Sequence, residues 1–394
     1  MEFVGTFWAL VPPIVAIVLA LITKETYTSL FVGIVVGALL LAGFDPINTV
    51  NYIIVGEIGE GEDAMAVGFL NAISDPWNAG IFVFLVMLGI MVTLVNKAGG
   101  SAAFGAWAAK HIKTRVGAQL ATFALGVLIF IDDYFNCLTV GAVMRPVTDE
   151  QKISRAKLSY IIDATAAPIC MIAPISSWAA AVSATAADLD SGITGIQLFI
   201  QAIPYNFYSL LTIVFVIVIV VMGFDYGPMA RAEIEAYRDG MLGSLGNEEK
   251  LDNPRAKLID MLIPILVLIV CCIIGMMFVG GFWDPEAEAF GDLALAFGNT
   301  DASVGLPWGS IIALVFTFIY LLCRRVITFG DAAVCIVDGF KAMVPALLIL
   351  TFALTLKLAT SALGADVFVA GLMEGAAAGL YSICLLYTSD AADD

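Results

Sequence analysis

Nine apolar runs, each about 15–25 residues long, dominate this chain: 3–22, 29–44, 79–95, 118–143, 158–182, 205–223, 258–279, 308–323 and 343–363. Crossing the hydrocarbon of a bilayer takes about 20 helical residues. A helix satisfies its backbone polar groups within one segment, as lipid requires. Of the 394 residues 61% are hydrophobic and only 13% charged, against about 25% charged in a soluble domain. The expected fold class is therefore an all-α polytopic membrane protein of about 9–10 spans or half-spans. Several runs are short or interrupted, so broken or re-entrant helices are expected.

The run 118–143 carries the strongest anomaly, because "ALGVLIFIDDYFNCLTVG" places Asp132 and Asp133 inside apolar sequence. A charge within a membrane segment costs a few kcal/mol or more, so it faces a cavity or a partner and does work. Asp132, Asn136 and Thr139 share one helical face, and Asp133 shares a neighbouring face with Asn136. Carboxylate, amide oxygen and hydroxyl are hard donors that suit Na+ or a proton. One aspartate could merely cap a helix end, but an N-cap site takes a single side chain. Gly141 and Pro146 are expected to end the segment.

The run 158–182 adds Asp163 and Thr165, then Pro168, Pro174 and "ISSW", which holds Ser176 and Ser177. Two prolines six residues apart interrupt a helix and release carbonyls. Irregular backbone at membrane depth is tolerated where it lines a cavity or is buried in protein. These carbonyls, Asp163 and the serine hydroxyls are expected to form the second wall of an ion site, with Na+ at Asp133, Asn136 and Asp163. Lys357, inside run 343–363, either pairs with one of the carboxylates or snorkels to an interface.

Sidedness follows from the basic residues. Seventeen of the 18 lysines and arginines fall in the loops around 24, 97–115, 145–157, 231–257 and 324–341. The opposite loops carry only acidic charge, from Asp45 to Asp301. The basic loops are expected to be cytoplasmic, with the N-terminus outside. Run 118–143 must then enter and return on one side, which favours a hairpin over a single broken helix. The segments led by Trp77 and Trp308 echo one another, suggesting a two-repeat transporter architecture. The stretch 329–341 reads as an amphipathic interfacial helix.

Other classes are excluded or reduced. A net charge of −17 argues against a nucleic-acid partner, which needs a basic face. Residues 1–22 lack a basic leader before their apolar run and read as a span rather than a cleaved signal. The seven cysteines show no CxxC or Cys/His ligand spacing. The only histidine, His111, lies in a basic, interface-like stretch. No cofactor is expected. The tail 384–394, "CLLYTSDAADD", resembles an in-frame translation of a sequencing adapter. On that reading residues 1–383 are one transmembrane transporter domain, incomplete at its C-terminus, and 384–394 are an artefact.

The segment "FIDDYFNCLTVGAVMRPVTDEQKISRAKLSYIIDATAAPICMIAPISSW" resembles the signature of NhaC-type sodium/proton antiporters, in the ion-transporter superfamily. "PYNFYSLLTIVFV", "DYGPM" and "GFKAMVPALLILTFALTL" resemble the same family. The likeness covers most of 79–363. It implies a secondary active transporter in a cytoplasmic membrane, not an enzyme, exchanging Na+ for H+ or coupling them to an organic anion. It also implies Asp132, Asp133, Asn136, Thr139 and Asp163 as ion-site residues. At Lys357 this chain departs from the family, many of whose members carry a tryptophan and no lysine nearby.

Burial disfavours the charged form of a carboxylate, so such a group can hold either a proton or Na+ near neutral pH. The expected mechanism makes Asp133 and Asp163 the shared carrier and lets Asp132 set the local field. Three rivals stand beside it. One is an exchanger of a small organic carboxylate (malate or lactate type) or amino acid, with Lys357 or half-helix N-termini as receptor. The second is an intramembrane aspartyl protease using paired carboxylates, and the third a channel, for which no ring of identical charges is evident. Membrane lipid, Na+ and H+ are the expected partners, and homo-oligomerisation stays open.

Overall fold

The computed structural model describes residues 3–59, 65–130, 133–173, 176, 178, 195–243 and 253–376. The chain divides into two units, Met1–Phe82 with Met343–Asp394, and Val83–Ala342. The adapter-like tail, Asp132, Pro174 and Ser177 lie outside the described residues.

In the first unit a 3-10 turn (Phe7–Leu10) leads into α1 (Val11–Thr23), which pairs with α2 (Thr26–Leu41). Lys24 takes a left-handed conformation at φ 56°, and the Glu25 carboxylate caps α2 by accepting from the backbone N–H groups of Tyr27 and Thr28. The two helices pack almost backbone to backbone, since a Cβ at Gly33 would meet the Ala16 Cβ at 2.9 Å. Beyond α3 (Pro46–Ile54) the acidic loop forms a short antiparallel ladder of β1 (Gly56–Ile58) and β2 (Met65–Val67). Asn71, in α4 (Phe69–Ser74), ties the ladder by donating to the carbonyls of Gly56 (3.0 Å) and Val67 (2.8 Å).

The second unit takes in α5 (Pro76–Lys97) from Val83 onward, then α6 (Gly100–His111), α7 (Arg115–Leu128), α8 (Asp133–Glu150) and α9 (Arg155–Cys170). It continues with α10 (Gly195–Ala202), α11 (Phe207–Met222), α12 (Gly227–Asp239), α13 (Ile259–Val279), α14 (Leu293–Gly298) and α15 (Ala302–Cys323). The first turns of α16 (Phe329–Ala362) close it; that helix ends in the first unit, followed there by α17 (Ala365–Ala376). Its core is a continuous cluster built from Phe84, Leu88, Val140, Met144, Leu158 and Leu268, among others. Among the described residues, five helical stretches are long and apolar enough to cross a membrane: Pro76–Lys97, Phe207–Asp239, Ile259–Val279, Ser303–Cys323 and Phe329–Ala362. The protein is thus an all-α polytopic membrane protein.

Polar contacts gather the basic loops at one end of this unit. Asn253 donates to the carbonyls of Ala98 (3.0 Å) and Val326 (2.7 Å). Fully buried Asp260 accepts two hydrogen bonds from Arg324, at 2.9 and 3.1 Å, one from Tyr320 and one from the Lys257 N–H. Removing one partner of a buried pair strands the other. Arg324 stays 29% exposed and keeps some water. We therefore expect Asp260→Ala to cost about 2–3 kcal/mol, read as a lower melting temperature in detergent.

Three expectations change. Gly141 and Pro146 do not end a segment, because α8 runs through both to Glu150. Proline removes one backbone hydrogen bond, and packed neighbours make that tolerable in a membrane helix; α8 packs on α6, α7 and α9. Pro168 likewise sits inside α9, which ends at Cys170. The stretch 329–341 is not a separate interfacial helix but the opening turns of α16, 34 residues long. Where the first of the two echoing segments has separate helices α6 and α7, the second has this one continuous helix.

Candidate ion site at the break of a helical hairpin

Run 118–143 folds as a hairpin of two helices. Glu233, on α12, pairs with Arg115 at the start of α7, while its other oxygen accepts from the N–H of Ser154, the N-cap of α9. Gln151, just past α8, donates to the Ile112 carbonyl, just before α7, at 3.4 Å. The outer ends of α7 and α8 therefore lie together at the basic end of the unit. With 14 and 18 residues, the two helices are about 21 and 27 Å long. Each falls short of the roughly 30 Å hydrocarbon core. The two helices thus form a hairpin whose outer ends meet at the basic end of the unit.

The break begins at Ile129, whose φ −101° and ψ 68° leave the helical region. A helix end leaves its last carbonyls without N–H partners. Asn136 meets this need from the returning helix. Its Nδ2 donates to Gly126 O and Ile129 O, both at 2.7 Å. Asn136 is fully buried and its Oδ1 has no hydrogen-bond partner among the described residues. Rotating the amide would aim its oxygen at two carbonyls, so the network fixes the assignment. The result is a buried amide oxygen with no hydrogen-bond partner among the described residues, at the break of the hairpin.

A second oxygen stands beside it. Thr165, fully buried on α9, donates its hydroxyl proton to Ile161 O (2.7 Å) and Ile162 O (3.0 Å), leaving its Oγ1 lone pairs available. A Cβ placed on Gly126 would lie 2.7 Å from Thr165 Oγ1 and 3.7 Å from Asn136 Oδ1. The glycine thus lets α9 approach α7 closely and brings both oxygens near one point of the backbone, and oxygens of this kind suit a hard cation such as Na+.

The remaining expected site residues fall around this pair unevenly. Asp133 opens α8, half-buried, in the first turn where a helix favours negative charge. Thr139 lies on α8, its side chain outside the described set. Asp163 is exposed, two residues from Thr165 and so about 200° around α9 from it. Ser176 is buried, with its hydroxyl donating to the carbonyls of Cys170 (2.7 Å) and Ala173 (2.9 Å), which places it on the end of α9. Lys357 is exposed on α16 in the first unit, and no ion pair among the described residues engages it. Gly126 was not legible as a site residue. Its one signal is a glycine ten positions before Asn136 in otherwise apolar sequence.

The fold is that of a helical membrane protein with buried polar oxygens at the break of a helical hairpin. A profile of the Na+/H+ antiporter family matches residues 181–389. An uncharacterised protein of Haemophilus influenzae is 31% identical over 383 residues, covering 95% of this chain and 71% of that protein. The chain belongs to the Na+/H+ antiporter family. This is a family of transporters, which removes the aspartyl-protease reading. No solved structure matches the chain. The profile match begins past Asn136 and Thr165, so the site residues rest on the structure itself.

Proposed function

We propose that the protein exchanges Na+ for H+ across the cytoplasmic membrane, with the basic loops on the cytoplasmic side. The observation that carries this reading is the buried Asn136 Oδ1, without a hydrogen-bond partner among the described residues and close to Thr165 Oγ1 at the break of the hairpin. Na+, as transported substrate, takes these two oxygens, with the nearby Asp133 carboxylate supplying compensating charge. Protonation of the carboxylate removes that charge and releases the ion. Asp163 is the second titrating group and Asp132 sets the local field. Outward- and inward-facing states alternate around this seat, and competition for the carboxylates couples the fluxes.

The test is Na+-dependent proton movement in everted vesicles carrying Asp133→Asn or Asp163→Asn. An asparagine cannot trade a proton for Na+, so each variant is expected to lose at least tenfold in exchange rate, about 1.4 kcal/mol or more. Wild-type exchange in both would sink the competition mechanism. A proteoliposome panel of Na+, Li+, K+ and small carboxylates separates cation exchange from the organic-anion alternative.

A further inference from the structure

A second polar cluster lies away from the hairpin break, where α9, α11 and α12 meet. Lys157, only 2% exposed, pairs with Asp225, and its ammonium lies over the Tyr160 ring at 5.8 Å from the centroid. Together with Ile219, Phe224 and Tyr226 these residues line a cavity of about 160 Å³. An ammonium carries three N–H donors. Among the described residues one of them goes to Asp225, so a buried cation is left with donors to spare beside open space. Lys157 also stands in the first turn of α9, where the helix end favours an anion.

The surroundings indicate the source of that anion. Ile219 leads back along α11, whose outer face presents Val214, Val218, Val221 and Met222 at 43–73% exposure. Phe224 and Tyr226, 58% and 62% exposed, stand at the end of that apolar face, as aromatic residues do at the headgroup level. Pockets with a cation between membrane helices near the surface accept anionic headgroups.

We propose that this cavity binds the phosphate of an anionic phospholipid, held by the Lys157 ammonium with its acyl chains along α11. Asp225 is the one carboxylate lining the cavity among the described residues, and it competes with the phosphate for Lys157. The site is independent of ion exchange and is read by binding alone. Purified full-length protein in phosphatidylcholine is expected to melt about 3 °C or more higher when phosphatidylglycerol is added. Asp225→Asn frees the ammonium and should tighten phosphatidylglycerol binding by about tenfold. Lys157→Met should abolish the shift. Because that variant strands Asp225, the Lys157→Met/Asp225→Asn double variant, which removes both charges, serves as the folded comparison.

A shift that phosphatidylglycerol and phosphatidylcholine produce equally, or that survives loss of Lys157, would overturn the proposal and leave the pair a structural ion bridge. A shift reproduced by inorganic phosphate alone would overturn the lipid assignment in favour of a free oxyanion. Unchanged or weaker lipid binding in Asp225→Asn counts against it as well.

Discussion

We expect Asn136→Ala to abolish the proposed Na+-driven proton movement, and Thr165→Val to raise the Na+ concentration for half-maximal exchange by about tenfold or more. The two losses differ because the two residues do different things. Thr165 Oγ1 lies close against Gly126, and its proton is committed to its own helix. Valine keeps the shape and removes an oxygen, so its effect belongs to the ion. Asn136 provides the oxygen that has no partner among the described residues and also joins α7 to α8 through Gly126 O and Ile129 O. Alanine deletes the oxygen and strands two buried carbonyls, at about 1–3 kcal/mol for each group left unsatisfied. That variant should therefore lose thermal stability as well as transport, whereas Thr165→Val should lose mainly transport. Fluorescence-quench assays in everted vesicles over a Na+ titration, with melting curves on the same preparations, separate the effects. Unaltered Na+ dependence in Thr165→Val would remove the seat from this place.

The architecture was legible in the sequence wherever a run was long and uniform. Runs 79–95, 205–223, 258–279 and 308–323 became α5, α11, α13 and α15 within a few residues at most boundaries. The hairpin was legible through topology rather than propensity, because Lys113 and Arg115 before it and Arg145 to Lys157 after it demand one side. What misled was the weight given to proline and glycine. Pro146 and Pro168 were expected to break helices, yet both sit inside them, since neighbouring helices can take up the freed carbonyl.

Within the site, Asn136 and Thr165 were legible as polar groups in apolar sequence, but their pairing was not, because it depends on how α7, α8 and α9 pack. Spacing on a single helix cannot place Thr165 beside Asn136 or turn Asp163 away from it. Gly126 escaped notice for the same reason. A glycine matters there through what approaches it, and that approach comes from another helix.

The same logic gives a large expected stability effect at the crossing of α13 and α15. Gly305 and Gly309 stand one turn apart on α15, a small-xxx-small pair of the kind that lets membrane helices touch backbone to backbone. A Cβ at Gly309 would lie 2.5 Å from Cys272 Cα and 2.6 Å from Cys271 O, and one at Gly275 would lie 2.5 Å from Gly305 O. These obstacles are backbone atoms, which cannot rotate aside as a side chain would. Gly309→Ala must push the helices apart, an overpacking cost of about 1–3 kcal/mol. Gly309→Leu adds three more carbons to the same gap, while the Asp260–Arg324 pair holds the helices together at the basic end. We expect Gly309→Leu to leave little folded protein in the membrane and Gly309→Ala to accumulate with a lowered melting temperature. At Gly371, in α17, a Cβ would meet no atom of another element within 4 Å among the described residues. Gly371→Ala should therefore be neutral or stabilising, by up to about 1 kcal/mol from helix propensity. Size-exclusion profiles and melting curves of the three variants decide the matter; equal behaviour of Gly309→Ala and Gly371→Ala would mean that α13 and α15 do not touch where the glycines place them.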